Sequence, residues 1–343
     1  DVKQVLRRGS GVLAAMVLGL ICGQTLGTTQ PENGAREVVE TPKLVVVIAI
    51  DQLRRDRLFE SSEAGLGRLK HAGRVFTAGQ LAHGITTTCP GHAAIMTGLN
   101  PDGHGLPSNS FLDRATGKVQ YCVGSDDPGH QVLGGSKGRS PSNLRADTLG
   151  DWLKAKNPAH RVFAVSAKDR AAITLAGVNP DGVYWYDVAQ GRFTTSGYYQ
   201  DQLPQYLLAF NGQDPAVDGF MRGFPERWTH SANGVRADDY EGEDTRYENV
   251  SGHPLRDGAF EDIAKQVYAS PFVDEATMAL AQLMVTEEAL GQGPALDLLS
   301  ISLSATDTVG HLYGPRSAEA ADALARVDEM LGAFFSVLDE RLG

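Results

Sequence analysis

Seven consecutive apolar residues, Leu44–Ile50 (LVVVIAI), run without alternation, the pattern of a strand covered on both faces in a parallel sheet. Arg161–Ser166 (RVFAVS) and residues 296–303 repeat the pattern and predict two more core strands. Between them the spacing of apolar positions changes to that of helices. It predicts helices at 62–72, at 92–97 following a Pro90-Gly91 start, at 147–156, at 274–290 and, longest, at 317–338. Two aromatic-rich runs around Gln190-Gly191 predict a hairpin over 183–199. Strands alternating with helices imply an α/β fold: a doubly wound, mostly parallel sheet flanked by helices. From 201 to 271 Gly, Pro, Asn and Asp are frequent and periodicity fails, so an inserted cap region packed over the sheet edge is expected there.

The first apolar run along the chain is of another kind. Residues 12–22 (VLAAMVLGLIC) follow Lys3, Arg7 and Arg8 and precede small and polar residues, the layout of a secretory signal ending near Gly27. The run is too short to span a bilayer comfortably. Lipid attachment through Cys22 is the alternative, although Ile21 is bulky for it. Residues 28–42 read as a linker and 43–343 as one domain. Export would leave Cys89 and Cys122, either as a disulfide or as two buried thiols. A net charge of -11 argues against nucleic acid as a partner, since phosphate backbones need a basic footprint.

Ligands of open α/β sheets bind beyond the carboxyl ends of the strands. Asp51 follows the first predicted strand, Lys168 and Arg170 the second, and Asp307 the third. Each has an ordinary alternative as a helix cap or a solvated turn. Asp307 and His311 lie four apart, so on a helical turn they face one way and could share a cation such as zinc. Thr88 precedes Pro90-Gly91, where free N–H groups at a helix start would favour an anion; a plain N-cap is the alternative.

Asp51-Gln52, Thr88-Cys89-Pro90-Gly91-His92, the Thr97-Gly98 to His104-Gly105 stretch, Asn109, Ser166-Ala167-Lys168-Asp169-Arg170 and Asp307-x3-His311 occur in that order. Together they resemble the alkaline phosphatase superfamily. The likeness is greatest to secreted bacterial alkaline phosphatases with a threonine nucleophile, and it extends from Leu44 to the end of the chain. It implies hydrolysis of phosphate monoesters through a phosphothreonine on Thr88, with Asn109, Lys168 and Arg170 holding the phosphate oxygens. It also implies two zinc ions in the full-length enzyme, one on Asp51 and Thr88, the other on Asp307 and His311. His92 and His104 are expected to be structural. Tyr184, Trp185 and Tyr186 are expected mainly in the hairpin core, with pocket lining as the alternative.

The family pattern calls for a later Asp-His pair and a further His, yet no Asp-His dipeptide occurs and no histidine follows His311. With Asp1 at one end and a helix-like segment running to Gly343 at the other, the chain reads as a C-terminally truncated fragment, expected to bind zinc weakly and turn over little. A nucleotide pyrophosphatase or phosphodiesterase is the alternative within the superfamily, and a phosphate-binding remnant without catalysis is the alternative outside it. The Cys-Pro sequence with no following Arg argues against a sulfatase.

Overall fold

Four parallel strands and one antiparallel edge strand form the central sheet: β1 (Leu44–Ile50), β2 (Arg161–Ser166), β3 (Gly182–Asp187), β4 (Arg192–Thr194) and β5 (Asp297–Leu303), in the spatial order β1-β5-β2-β3-β4. This computed structural model describes residues 42–59, 63–230 and 242–343, all of which lie in one unit, Thr41–Gly343. The leader, all but the last residue of the linker, and 231–241 of the cap region lie outside the described residues.

β5 is buried along its whole length because it pairs on both sides, Leu44↔Asp297 to Ile50↔Leu303 with β1 and Arg161↔Asp297 to Ser166↔Ser302 with β2. Among the described residues, β1 pairs in the sheet with β5 alone. Side chains alternate between faces, which explains the unbroken apolar runs: each face is covered by helices. Val162, Ala164, Val183 and Leu298 meet α1 (Thr88–Thr97) and α2 (Asp169–Ala176). Phe163, Val165, Leu299 and Ile301 meet α3 (Phe272–Glu287) and, beyond α4 (Ala305–Tyr313), α5 (Ala318–Leu342). The doubly wound reading therefore holds.

Several boundaries moved. α1 starts at Thr88, two residues before the proline, because first-turn N–H groups lack intrahelical partners and proline costs nothing there. Thr88 is thus inside the first turn rather than ahead of it. Residues 201–271 hold helices at Gln205–Asn211 and Phe260–Tyr268 and a two-residue ribbon, Arg227–Trp228 against His253–Pro254. These elements are too short for a periodicity window to register between their turns. Trp228 and Leu255 carry this region into the core shared with α3 and α5.

α5 turns three acids inward along its buried face: Glu319, Asp322 and Asp328. Asp322 accepts the Trp228 indole N–H at 2.9 Å. Asp328 accepts N–H groups of Glu63, Ala64 and Leu66 at 3.1, 3.0 and 2.6 Å. It thereby caps the helix Gly65–Ala72 from a distant part of the chain.

Candidate active site

The ends of β1, β2 and β5 deliver Asp51, Lys168 and Asp307 to one place, as a parallel sheet must. Asp51 is fixed through its backbone: its N–H donates to Leu303 O at 2.9 Å, and its carbonyl accepts Thr306 Oγ1 at 2.5 Å. Gln52 then adopts a left-handed φ of 61° and lies across Gly310, where a Cβ would sit 2.0 Å from its amide oxygen. A larger residue there would push the Gln52 amide aside. The Gln52 amide donates to Asp307 Oδ1 at 3.3 Å.

Thr88 Oγ1 donates to Asp51 Oδ2 at 3.0 Å. The same oxygen accepts from Lys168 Nζ at 2.6 Å, and that ammonium also contacts Asp307 Oδ2. Lys168 is only 3% exposed, so its charge requires these partners. Burial works against ionisation of Asp51, but the Lys168 ammonium, His92 and the Lys168 and Thr88 hydrogen bonds outweigh it and hold the carboxyl below its ordinary value. Burial likewise opposes the Lys168 charge, and Asp51 and Asp307 more than restore it. His311 Nε2 stands 3.3 Å from Asp307 Oδ1 on the same face of α4, with its side chain largely exposed.

Asn109 reaches α1 through its side-chain oxygen, which accepts the Cys89 N–H at 2.9 Å. Cys89 is joined to Cys122 by a disulfide, so of the two states open to these cysteines the bonded one is found. Arg170 is steadied by a chain of contacts: its Nη1 donates to Tyr121 OH at 3.4 Å, which donates to Asp169 Oδ1 at 2.6 Å, while Arg139 pairs with the other Asp169 oxygen. Arg170 Nε is buried and has no hydrogen-bond partner among the described residues. A cavity of about 1030 Å³ is lined by all seven residues singled out from the sequence: Asp51, Thr88, Asn109, Lys168, Arg170, Asp307 and His311. Arg54, Arg246 and Lys265 add positive charge to its wall.

His92 takes no part in the lining. Its Nδ1 donates to Thr88 O at 2.9 Å, since a carbonyl can only accept, and its Nε2 meets Ser302 Oγ at 2.8 Å. Burial pushes its pKa down, and the ring braces Thr88 against β5. Tyr184, Trp185 and Tyr186 are buried in the core, and none lines this cavity; Trp185 and Tyr186 reach an adjoining one behind Lys168 and Arg170. Sequence reasoning missed Gln52 as a contact of Asp307, and it missed the Tyr121–Asp169–Arg139 support. Asp169, an acid between two predicted anion-binding cations, was the available signal for the latter.

Residues 45–343 match the family model described as type I phosphodiesterase / nucleotide pyrophosphatase. Alkaline phosphatase PafA of Elizabethkingia meningoseptica is 33% identical over 326 residues, which cover 89% of this chain and 58% of the relative. Alkaline phosphatase PhoK of a Sphingomonas species is 32% identical over 338 residues, 96% of this chain and 58% of the relative. The chain thus spans little more than half the length of these curated relatives. The crystal structure of wild-type PafA superposes with a TM-score of 0.78 at 31% identity, covering 89% of this chain and 61% of that one. A PafA variant replaced at one Thr, one Asn, one Lys and one Arg superposes equally well, with a TM-score of 0.78.

Proposed function

Because the chain belongs to the type I phosphodiesterase / nucleotide pyrophosphatase family, we propose that its cavity is the working centre of a metal-dependent phosphate monoester hydrolase acting through a phosphothreonine on Thr88. The observation that carries this reading is the convergence of Thr88, two carboxylates and Lys168, with Arg170 and Asn109 lining the same cavity. The four positions replaced in the PafA variant support it. There the Thr and Asn lie twenty-one positions apart and the Lys and Arg two apart, as Thr88 with Asn109 and Lys168 with Arg170 do here.

The donor set fits divalent cations. Lys168 Nζ stands between Asp51 and Asp307 where a cation shared by two carboxylates belongs, and a hydroxyl and an imidazole flank that position. Asp51 and Thr88 would hold one cation, and Asp307 and His311 a second, zinc suiting this mixture of oxygen and nitrogen. Such cations supply Lewis acidity, lowering the pKa of the threonine hydroxyl and stabilising charge on the departing oxygen.

The remaining steps belong to the protein. The Thr88 hydrogen bond to Asp51 leaves the Oγ1 lone pairs available to an electrophile in the cavity. Oγ1 gives up its proton along the hydrogen bond to Asp51 and bonds to phosphorus as the ester P–O bond breaks, and the leaving oxygen takes the electron pair and a proton from solvent. Water then cleaves the threonine–phosphorus bond and regenerates the hydroxyl. Arg170, with an unused buried Nε, and Lys168 offer charge-matched donors to the non-bridging oxygens, and Asn109 a neutral one. Two cations suit a monoester dianion better than a diester monoanion. The Cys89–Cys122 bond supports export to an oxidising compartment.

The test is turnover, by the enzyme encoded by the complete gene, of an aryl phosphate against its methyl diester, with chelation and zinc restoration. Preference for the monoester, lost on chelation and regained with zinc, is expected. Preference for the diester would move the assignment to the phosphodiesterase branch. Phosphate binding with no turnover of either ester would leave a binding module.

A further inference from the structure

A second group of ligating side chains converges outside the cavity. His230, His253 and Glu319 each place one ligand atom within 4.8 Å of the others, and none lines the cavity. His253 belongs to the ribbon His253–Pro254, His230 follows the paired strand Arg227–Trp228, and Glu319 lies in the first turn of α5. Glu319 is fully buried and His253 nearly so.

Hydrogen bonding fixes the orientation of His253. Its Nδ1 faces the carbonyls of Tyr247 and Glu248 at 3.1 and 3.2 Å, and carbonyls only accept, so Nδ1 carries a hydrogen. Nε2 therefore turns to Glu319 Oε1, 3.1 Å away. A carboxylate oxygen also only accepts, so two lone pairs would meet unless a proton or a metal cation lies between them. His230 Nε2 approaches the same oxygen at 3.8 Å. Glu319 Oε2 is buried with no hydrogen-bond partner among the described residues, beside a ring that packs 4.8 Å from both Trp228 and Tyr313. A single proton on His253 leaves the second carboxylate oxygen unsatisfied. An imidazole that donates through one nitrogen to backbone carbonyls and turns the other inward is the arrangement found around bound metals.

We propose that His230, His253 and Glu319 form a structural site for a zinc-class divalent cation that fastens the cap region to α5. Two imidazoles and one carboxylate match the borderline softness of zinc, with the fourth position left to Glu319 Oε2 or to water. Metal–ligand bonds of about 2.0–2.1 Å put ligand atoms about 3.3 Å apart, so loading draws the three side chains together. The Nε2 proton of His253 is released to solvent as the cation takes its place.

The proposal is independent of the phosphatase reading and is tested by anomalous diffraction at the zinc edge on crystals of the full chain equilibrated with zinc. A peak bounded by His230, His253 and Glu319 is expected, whatever the cavity holds; absence of density there at saturating zinc would overturn the site. In solution, His230→Ala alters the partly exposed ligand and spares the buried ones. It should bind one zinc equivalent fewer per chain than the parent and lose the part of the zinc-induced rise in Tm that the parent shows. Unchanged stoichiometry in a folded His230→Ala protein would equally count against it. Cobalt(II) in place of zinc gives the same reading without relying on Tm, through tetrahedral absorption bands that His230→Ala weakens.

Discussion

Two sets of carboxylates in this protein meet the same electrostatic problem with opposite solutions. Asp51 and Asp307 face a cavity beyond the strand ends and are held by a lysine ammonium that a cation could displace. Glu319 and Asp274 are sealed: the first by two imidazoles, the second by the backbone N–H groups of Ser304 and Ala305 at 2.7 and 2.9 Å. Open carboxylates can exchange partners with solutes, which chemistry requires. Sealed ones lie out of reach of the solutes in the cavity and bear on stability instead, in either direction.

Substitutions should separate the two sets. Thr88→Ala removes the proposed nucleophile and should lower kcat toward an aryl phosphate by at least about a thousandfold, while Tm moves by only a few degrees. A comparable loss of Tm would erase the distinction. Asp274 should behave in the reverse way. Burial, only partly offset by the two N–H groups, raises its pKa from 3.8 to about 7. The folded state then binds more protons than the unfolded chain between those values, so the stability due to this group falls as pH rises from about 4 to about 7 and is level above. The difference in urea-unfolding free energy between the parent and Asp274→Asn should trace that slope, up to roughly 4 kcal/mol. A flat difference would mean that the carboxyl is not sealed.

The disulfide lies between these extremes, because it closes a 33-residue separation and also ties Cys89, next to Thr88, to Cys122, whose N–H donates to Asn109 O at 3.0 Å. Its reduction should cost about 2–4 kcal/mol of stability and raise KM more than it lowers kcat, as read by steady-state kinetics in reducing buffer. The smallest effect expected is that of Lys168→Met. Without the ammonium, Asp51 and Asp307 face each other unscreened, so divalent-cation affinity should rise in calorimetry while turnover drops about ten- to a hundredfold. Weaker metal binding would show that the lysine orders the pair rather than competing for it.

The same contrast governs what could be read from the sequence. Asp51, Lys168 and Asp307 were legible because unbroken apolar runs locate strands, and strand ends locate ligands. Thr88 was found for its place near a helix start, though the helix begins on it rather than after it. The His230–His253–Glu319 group was not found. Its members come from a two-residue ribbon and a helix separated by long stretches of chain, and no spacing rule joins them. The one signal was the presence of Glu319, Asp322 and Asp328 on the buried face of α5, since acids on an apolar stripe must each have a partner.

The position of β5 in the sheet also bears on how the chain folds as it is made. Among the described residues, β1 meets no strand until Asp297–Leu303 exists, and the helix Gly65–Ala72 lacks the Asp328 cap until that residue has been made. Elements made before most of the domain are therefore among the last to be secured, a topology of long loop closures that slows folding. Nascent chains halted before residue 297 should leave Leu44–Ile50 open to protease, and chains extended past 328 should protect it. Until then the most apolar strand of the protein depends on whatever accompanies the growing chain.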